Sequence, residues 1–157
     1  MRLVETTRSW SGTTGDWMRS RGLVILRALV RRGLGVHAAF AVGITLLAHL
    51  WRECGAGSSE WDNNPGNIKA HGNELGAMRT NVHDGTQPYR VFDSIESGIE
   101  AYLAKLEGSR YGPALGQLIT RGDGRAWYAD IMREGYHPFS ENALTEWERI
   151  HRRMTGV

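Results

Sequence analysis

A long apolar segment that runs directly into an acid constrains this chain more than any other feature. Residues 38–51 are apolar at nearly every position, which predicts a helix buried on all sides. Arg52, Glu53 and Cys54 follow, and the break Gly55–Gly57 predicts the end of the helix. Glu53 would then lie in the last turn, where burial and the negative end of the helix dipole both disfavour its charged form. We therefore expect a raised pKa for Glu53, as a general acid working near neutral pH requires.

A polar stripe leads along the predicted helix to this acid. Thr45, His49 and Glu53 recur every four residues and so share one face of the helix. His49 could hold or tune Glu53, or it could be a core histidine with satisfied hydrogen bonds. For Glu53 itself the alternative is a surface carboxylate that pairs with Arg52 or Arg90.

Composition points to one globular domain of ordinary make-up. The chain has 157 residues, of which 41% are hydrophobic and 23% charged, so it can bury a core without staples. A net charge of +2 is too small to indicate a nucleic-acid-binding protein. Cys54 is the single cysteine, which excludes a disulfide framework and a cysteine-based zinc site.

Neither of the two segments that could target or anchor a protein in a membrane fits that role. Residues 1–13 contain no apolar core run, so they do not form a secretory signal, and we expect them to be flexible. The apolar run 34–51 is 18 residues long, the lower limit for a membrane span. Because His37 and His49 interrupt it, a core helix is the better interpretation, and no stable membrane insertion is expected.

Helical patterns flank a polar, glycine-rich segment at 58–88. Before it, Asp16 can cap a helix at 17–32 whose arginine-rich face is either solvated or in contact with an anionic surface. The apolar positions of that helix are Leu23, Leu26, Val30 and Leu34. Within 58–88, short strands are predicted near 67–70 and 77–82, and a third directly after it near 89–92. After it, further helices are predicted from Asp93, at 113–122, at 125–134 and beyond Ser140 or Asn142.

Four short motifs occur in order along the chain. They read R-E-C-G-A-G (52–57), N-N-P-G-N-I-K-A (63–70), Y-R-V-F-D-S (89–94) and W-Y-A-D-I (127–131). Together they resemble motifs of the bacterial endo-β-N-acetylglucosaminidases, peptidoglycan hydrolases of the lysozyme-like superfamily, in which serine is usual at the position of Cys54. The resemblance covers about residues 36–134.

This resemblance implies a mainly α, lysozyme-like α+β fold, in which one helical domain (1–157) surrounds a buried central helix and carries a small β-lobe. It implies a peptidoglycan hydrolase that cuts the β-1,4 bond between amino sugars, most closely an N-acetylglucosaminidase, with muramidase and lytic transglycosylase as alternatives. Glu53 matches the catalytic acid and Tyr128 a cleft tyrosine. The candidate substrate-binding residues are Asn63, Asn64, Asn67, His49 and Tyr89.

The second catalytic group is less clear, because the family often has an acid in its β-lobe where Asn81 and Val82 stand here. Asp84 is the nearest carboxylate, although it could simply form an Asp-Gly turn. The other candidates to meet an oxocarbenium-like centre are Tyr128 through an ordered water, or the N-acetyl group of the substrate. Tyr128 could also be core packing.

No metal and no cofactor are expected. His71 and His83 raise the possibility of a zinc peptidase or amidase, but H-E-x-x-H spacing is absent. The expected partner is the peptidoglycan glycan strand, bound by a monomer at the cell wall or in the periplasm. Without a signal peptide, the protein would be phage-released, as an endolysin is, or exported by another route. The alternative function is a glycan-binding or structural module that kept the fold without a complete acid pair.

Overall fold

The computed structural model describes residues 1–81 and 84–156. The chain forms six helices and a small three-stranded sheet in the described residues, and the predicted mainly helical α+β arrangement is confirmed. The helices are α1 (Thr14–Arg31), α2 (Val36–Cys54), α3 (Ile95–Glu107), α4 (Gly112–Arg121), α5 (Gly124–Arg133) and α6 (Glu141–Thr155). The strands are β1 (Arg2–Leu3), β2 (Leu75–Asn81) and β3 (Gly85–Arg90).

Helix α2 is the centre of the domain and packs against α1, α4, α5 and α6. From Val42 onward its apolar side chains are buried as predicted, and they include Leu46, Ala48 and Leu50. Burial on all sides is wrong for the first part of the predicted segment, where Phe40 is exposed. It ends at Gly55, whose left-handed backbone (φ 58°) lets its N–H donate to the carbonyl of Trp51. None of the helices in the described ranges is both long and apolar enough to cross a bilayer.

The buried face of helix α1 coincides only partly with the predicted one, since Leu26 and Leu34 pack against the core. Thr13, not Asp16, caps it, because the Thr13 hydroxyl accepts from the Asp16 N–H. Leu23 and Val30 are exposed, and the buried side chains are Trp17, Arg21, Ile25, Ala28 and Leu29. The physical reason is an ion pair far apart in sequence: the Arg21 guanidinium binds the buried carboxylate of Glu60, which turns the helix toward that loop.

The first residues of the chain are attached to the domain at several points, although the sequence predicts a flexible segment. Strand β1 pairs in parallel with β2, which pairs antiparallel with β3. The Asp62 carboxylate accepts from the Thr7 N–H at 2.7 Å and from the Thr6 hydroxyl at 2.8 Å. The Ser9 hydroxyl donates to Glu60 at 3.0 Å.

Two local expectations are corrected in the part of the chain that follows α2. The predicted strand at 67–70 is loop, with a single bridge between Lys69 and Tyr89. Ser94 caps α3 in place of Asp93, since its hydroxyl accepts from the Ser97 N–H. Ser140 caps α6, one of the two residues predicted to do so.

Candidate active site

A cleft of about 1260 Å³ runs between the β-lobe, the α3–α4 corner and the segment that follows α5. Glu53 reaches it from the end of α2, and its side chain is 16% exposed. Titratable and polar side chains dominate the rest of the wall, and they include Arg52, Asn67, Lys69, His71, Glu74, Asn81, Asp84, Arg90, Lys105, Arg110 and His137.

The Glu53 carboxylate is surrounded by nitrogen atoms. His49 Nε2 lies 3.3 Å from Oε1, and His137 Nε2 lies 4.0 Å from the same oxygen. Asn67 Nδ2 donates to the Glu53 carbonyl at 2.8 Å and lies 3.3 Å from Oε2. The arginines suggested as surface partners bind elsewhere: Arg52 pairs with Glu146 at 3.2 Å and Arg90 with Glu74 at 2.9 Å.

Asn67 is held in place from both sides. Its backbone is left-handed (φ 52°), a conformation that asparagine tolerates better than most residues. Arg79 Nη1 donates to Asn67 Oδ1 at 3.3 Å. Because the oxygen faces Arg79, the amide nitrogen must face Glu53. The loop and β2 together therefore orient one hydrogen-bond donor at the acid.

His49 is completely buried one turn before Glu53. Its Nδ1 lies 2.7 Å from the Tyr102 hydroxyl. Its Nε2 faces Glu53 within hydrogen-bonding distance, but the N–H direction is poor and Nε2 has no well-formed hydrogen bond. Burial lowers the pKa of His49 more than the neighbouring carboxylate of Glu53 raises it. His49 is thus a neutral ring that points a nitrogen at the acid.

The expectation of a raised pKa for Glu53 is wrong. Burial does raise this pKa, but the neighbouring imidazoles of His49 and His137 and the hydrogen bond from Asn67 together outweigh it, and the pKa lies below its usual value. Burial and the helix dipole, the two effects behind the expected rise in pKa, can be inferred from the sequence near Glu53. The expectation missed His137 and the orientation of Asn67, which come from other parts of the chain.

Tyr128 lies beneath the cleft wall and not in it. The side chain is fully buried, and its hydroxyl contacts His137 Nε2 at 2.7 Å and accepts from Arg52 Nη1 at 3.2 Å. Burial raises the pKa of Tyr128, so the phenol stays protonated. His137, whose Nδ1 lies 3.1 Å from the Pro138 carbonyl, separates Tyr128 from Glu53. Sequence reasoning missed His137 because it stands in a loop without a motif.

The other asparagines of the loop serve the loop itself. Asn64 is buried, donates to the carbonyls of Ile68 and Arg90 at 2.8 and 3.0 Å, and accepts from the Ile68 N–H at 2.9 Å. Asn63 donates to the Phe92 carbonyl at 2.9 Å. Neither residue lines the cleft. These bonds position Asn67, so the structure brings one of the three predicted asparagines to the acid.

Tyr89 and Asp84 lie on the β-lobe side of the cleft. Tyr89 is mostly buried, with the Arg79 guanidinium 4.1 Å from its ring centre and a hydrogen bond from Asn81. Asp84 is exposed, and Lys69 Nζ lies 3.4 Å from its carboxylate. Its N–H donates to Asn81 Oδ1 at 2.7 Å, as in a turn. The neighbouring candidates Val82 and His83 lie outside the described residues.

Comparison with known proteins identifies the architecture. No family model matches the sequence, and no curated protein does. The glycoside hydrolase domain of Salmonella typhimurium FlgJ superposes with a TM-score of 0.65 at 17% identity, over 92% of this chain and 90% of that one. A peptidoglycan hydrolase from Sphingomonas sp. A1 superposes with a TM-score of 0.58 at 22% identity, over 77% of this chain and 87% of that one. The chain has the fold of these hydrolase domains.

The lysozyme-like fold predicted from the motifs is therefore confirmed. In this fold the end of α2, the loop at 63–70 and the segment after α5 meet around Glu53. The arrangement can deliver a proton from a carboxyl group to a bound oxygen, provided that Glu53 carries the proton. Its immediate surroundings favour the ionised form.

Proposed function

We propose that this protein is a peptidoglycan hydrolase that cleaves the glycan strand, with Glu53 as the general acid. One observation carries the proposal: Glu53 lies in the last turn of the buried central helix, lines the large cleft and accepts a hydrogen bond from Asn67, with His49 Nε2 3.3 Å from its carboxylate. The FlgJ domain is described as a glycoside hydrolase and the Sphingomonas protein as a peptidoglycan hydrolase, which supports the same reaction class and substrate for this chain. With this substrate, the protein would act at the cell wall or in the periplasm.

The bond to be cut is the β-1,4 bond on the reducing side of N-acetylglucosamine. This preference rests on the motif resemblance. Glu53 donates its proton to the oxygen that leaves C1, while the carbonyl oxygen of the substrate's 2-acetamido group attacks C1 from the other face. The acetamido nitrogen keeps its proton, so the intermediate is an oxazolinium ion. Water then attacks this ion at C1 and gives a proton to the Glu53 carboxylate, so that the anomeric configuration is retained.

Assistance by the substrate is favoured over a second carboxylate because the other acids of the described cleft wall are already paired. Glu74 binds Arg90 at 2.9 Å, and Asp84 binds Lys69 at 3.4 Å. Tyr128 does not line the cleft and acts, in this proposal, as a positioning residue that holds His137. Glu53 is the acid that touches the reacting atoms.

The decisive test is Glu53→Gln assayed on purified peptidoglycan. Glutamine keeps the shape and can still accept from Asn67, but it cannot donate an acidic proton. We expect turnover to fall at least about 10²–10⁴-fold, the usual loss for a general acid. Asp84→Asn is the matched control and should stay within about threefold of wild type. Near-normal wall lysis by folded Glu53→Gln protein would contradict the assignment, and a large loss in Asp84→Asn would indicate a carboxylate pair.

The products decide which bond is cut. Mass spectrometry of digests, with and without borohydride reduction, should show new reducing N-acetylglucosamine ends. Reducing N-acetylmuramic acid would instead identify a muramidase, and anhydro-muramic ends a transglycosylase. Wall binding without any new end would identify a glycan-binding module, the alternative that the departure at Asn81 and Val82 leaves open.

A further inference from the structure

Three side chains present metal-binding atoms to a common point at the cleft wall: Glu53 and His137 line the cleft, whereas His49 is buried behind it and is not placed to bind substrate as predicted. His49 Nε2, Glu53 Oε1 and His137 Nε2 all lie within 4.8 Å of one another. No ligand spacing in the sequence indicates this group, because His137 is far from the other two along the chain. Two imidazoles and one carboxylate are the donor set of many open zinc sites, in which a water completes the tetrahedron.

The distances suit a tetrahedral ion with little movement. With bonds of about 2.0–2.1 Å, two ligand atoms of a tetrahedral zinc site are separated by about 3.3 Å. His49 Nε2 and Glu53 Oε1 are 3.3 Å apart. His137 Nε2 is 4.0 Å from Glu53 Oε1 and would have to approach by about 0.7 Å. His137 stands in the loop after α5 with its side chain 24% exposed, and a rotation of this side chain would supply the movement.

The nitrogen of His49 is an independent sign that a ligand fits here. It is fully buried and aimed at the carboxylate, yet it makes no well-formed hydrogen bond. Buried polar atoms are almost always satisfied, and exceptions call for an explanation such as an ion. A bound cation between His49 and Glu53 would satisfy this nitrogen directly.

The second nitrogen of each ring is already arranged for coordination. Metal-bound histidines usually donate their other N–H to an oxygen atom. His137 Nδ1 lies 3.1 Å from the Pro138 carbonyl, which can only accept, so Nε2 carries the lone pair. His49 Nδ1 lies 2.7 Å from the Tyr102 hydroxyl, which can accept once it rotates. Tyr128, which donates to His137 Nε2, is the competitor that a metal must displace.

We propose that His49, Glu53 and His137 form a binding site for Zn²⁺, and that an ion held there blocks the acid. Coordination requires the ionised carboxylate of Glu53, whereas a general acid must be protonated, so metal binding and general-acid catalysis exclude each other. The binding half of this inference stands on the three side chains alone. The inhibitory half rests on the proposed function.

Calorimetric titration of the full-length protein with Zn²⁺, in a buffer that does not bind metals, tests the binding half. We expect one site in the wild type. His137→Gln and Glu53→Gln should each weaken it at least about tenfold, since even the loss of a residue that only supports a ligand costs about that much. His37→Gln is the matched control, because His37 is exposed at the start of α2 and outside the cluster. It should leave the affinity unchanged.

Tyr128→Phe should change the Zn²⁺ affinity in the opposite direction. It therefore separates coordination from nonspecific loss of structure. Removal of a competing hydrogen bond should tighten Zn²⁺ binding about fivefold. Co²⁺ supplies a spectroscopic readout: a tetrahedral site gives strong visible absorption, which should be absent in His137→Gln. Circular dichroism checks the fold of every variant. Equal Zn²⁺ affinity in wild type and His137→Gln, or a weak octahedral Co²⁺ spectrum in the wild type, would overturn the proposal.

Wall lysis then tests the inhibitory half separately. In the presence of a chelator, the wild type should lyse peptidoglycan, and added Zn²⁺ should inhibit it at the concentration that fills the calorimetric site. Zinc binding without lysis under any condition would contradict the proposed function but would still support the metal site. Lysis that is unaffected when the site is full would show that the ion does not block Glu53.

Discussion

Glu53 carries a conflict between its surroundings and its proposed role. The neighbouring imidazoles of His49 and His137 and the hydrogen bond from Asn67 lower its pKa in the free protein, whereas a general acid must start protonated. Binding of a sugar would strip water from the carboxylate, which raises the pKa of an acid. The proton would then be taken up, or retained, as the glycan closes over the cleft.

The pH dependence of turnover should report this conflict. We expect kcat/KM, which reflects the free enzyme, to rise as pH falls from 7 to 5, because the protonated fraction of Glu53 increases. The basic limb of kcat should lie at higher pH than that of kcat/KM. Steady-state rates on soluble peptidoglycan fragments across this range make the comparison. Identical limbs for the two parameters would show that substrate does not raise the pKa of Glu53.

Asn67→Gly isolates one cause of the lowered pKa. Glycine accepts the left-handed backbone of Asn67 (φ 52°) and removes the donor at 3.3 Å from Oε2. We expect the basic limb of kcat/KM to move to higher pH in this variant. Asn73→Gly, at an exposed position outside the cleft wall, is the control and should leave the limb in place. If both variants keep the wild-type profile, Asn67 does not tune Glu53.

At the scale of elements, the loop that carries Asn67 is set by how closely it approaches helix α3. A Cβ atom at Gly98 would stand 1.7 Å from the Asn63 carbonyl oxygen, and one at Gly66 would stand 2.9 Å from the Tyr102 ring. No side chain fits at either position. Because Gly66 and Gly98 have no side chain, the loop can lie against α3 and reach the end of α2.

Gly98→Ala should lower the free energy of unfolding by about 1–3 kcal/mol, the usual cost of overpacking. Gly116→Ala in α4 is the matched control, since nothing lies within 4 Å of a Cβ there. It should raise the free energy of unfolding by up to about 1 kcal/mol, because alanine favours helix. Denaturant unfolding of both variants measures the difference. A stabilised Gly98→Ala protein would show that the loop does not depend on this contact.

The same elements show which features local sequence can predict. Helix α2 and the ends of α4–α6 were predictable because apolar spacing and caps act within a few residues. The buried face of α1 was not, since Arg21 is drawn inward by Glu60, 39 residues away. Likewise the nitrogen-rich surroundings of Glu53 are assembled from His49, Asn67 and His137, which no local pattern links. The sign of the pKa shift could not be predicted for that reason.

For the whole molecule, stability and activity should respond to acid in opposite directions. Glu53 and Glu100 have lowered pKa values in the folded state, so their contribution is complete above the ordinary value of 4.5 and is lost as pH falls through the folded pKa. His49 also has a lowered pKa, so the unfolded chain takes up a proton below about 6.5 that the folded protein does not. Both effects destabilise the fold on acidification.

We therefore expect the melting temperature to fall in two stages as pH decreases, first below about 6.5 and again below about 4.5. Glu100 is partly exposed, so salt should weaken its share. Thermal unfolding from pH 8 to pH 3 measures the profile, and Glu53→Gln should flatten its lower stage. A melting temperature that stays constant over this range would contradict the burial of a neutral His49 beside an ionised Glu53.

The parallel pairing of β1 with β2 bears on the order in which the chain is made. Residues 2–3 meet residues 75–76, and at about 5–20 residues per second a ribosome needs roughly 4–15 s to produce the missing stretch. Throughout that interval Leu3 and Val4 have no strand beside them, while α1 and α2 can already fold. We expect the N-terminal segment to dock only after β2 has been made, later than α1 and α2 can fold, and a chaperone that binds short apolar peptides to have its best opportunity in that interval.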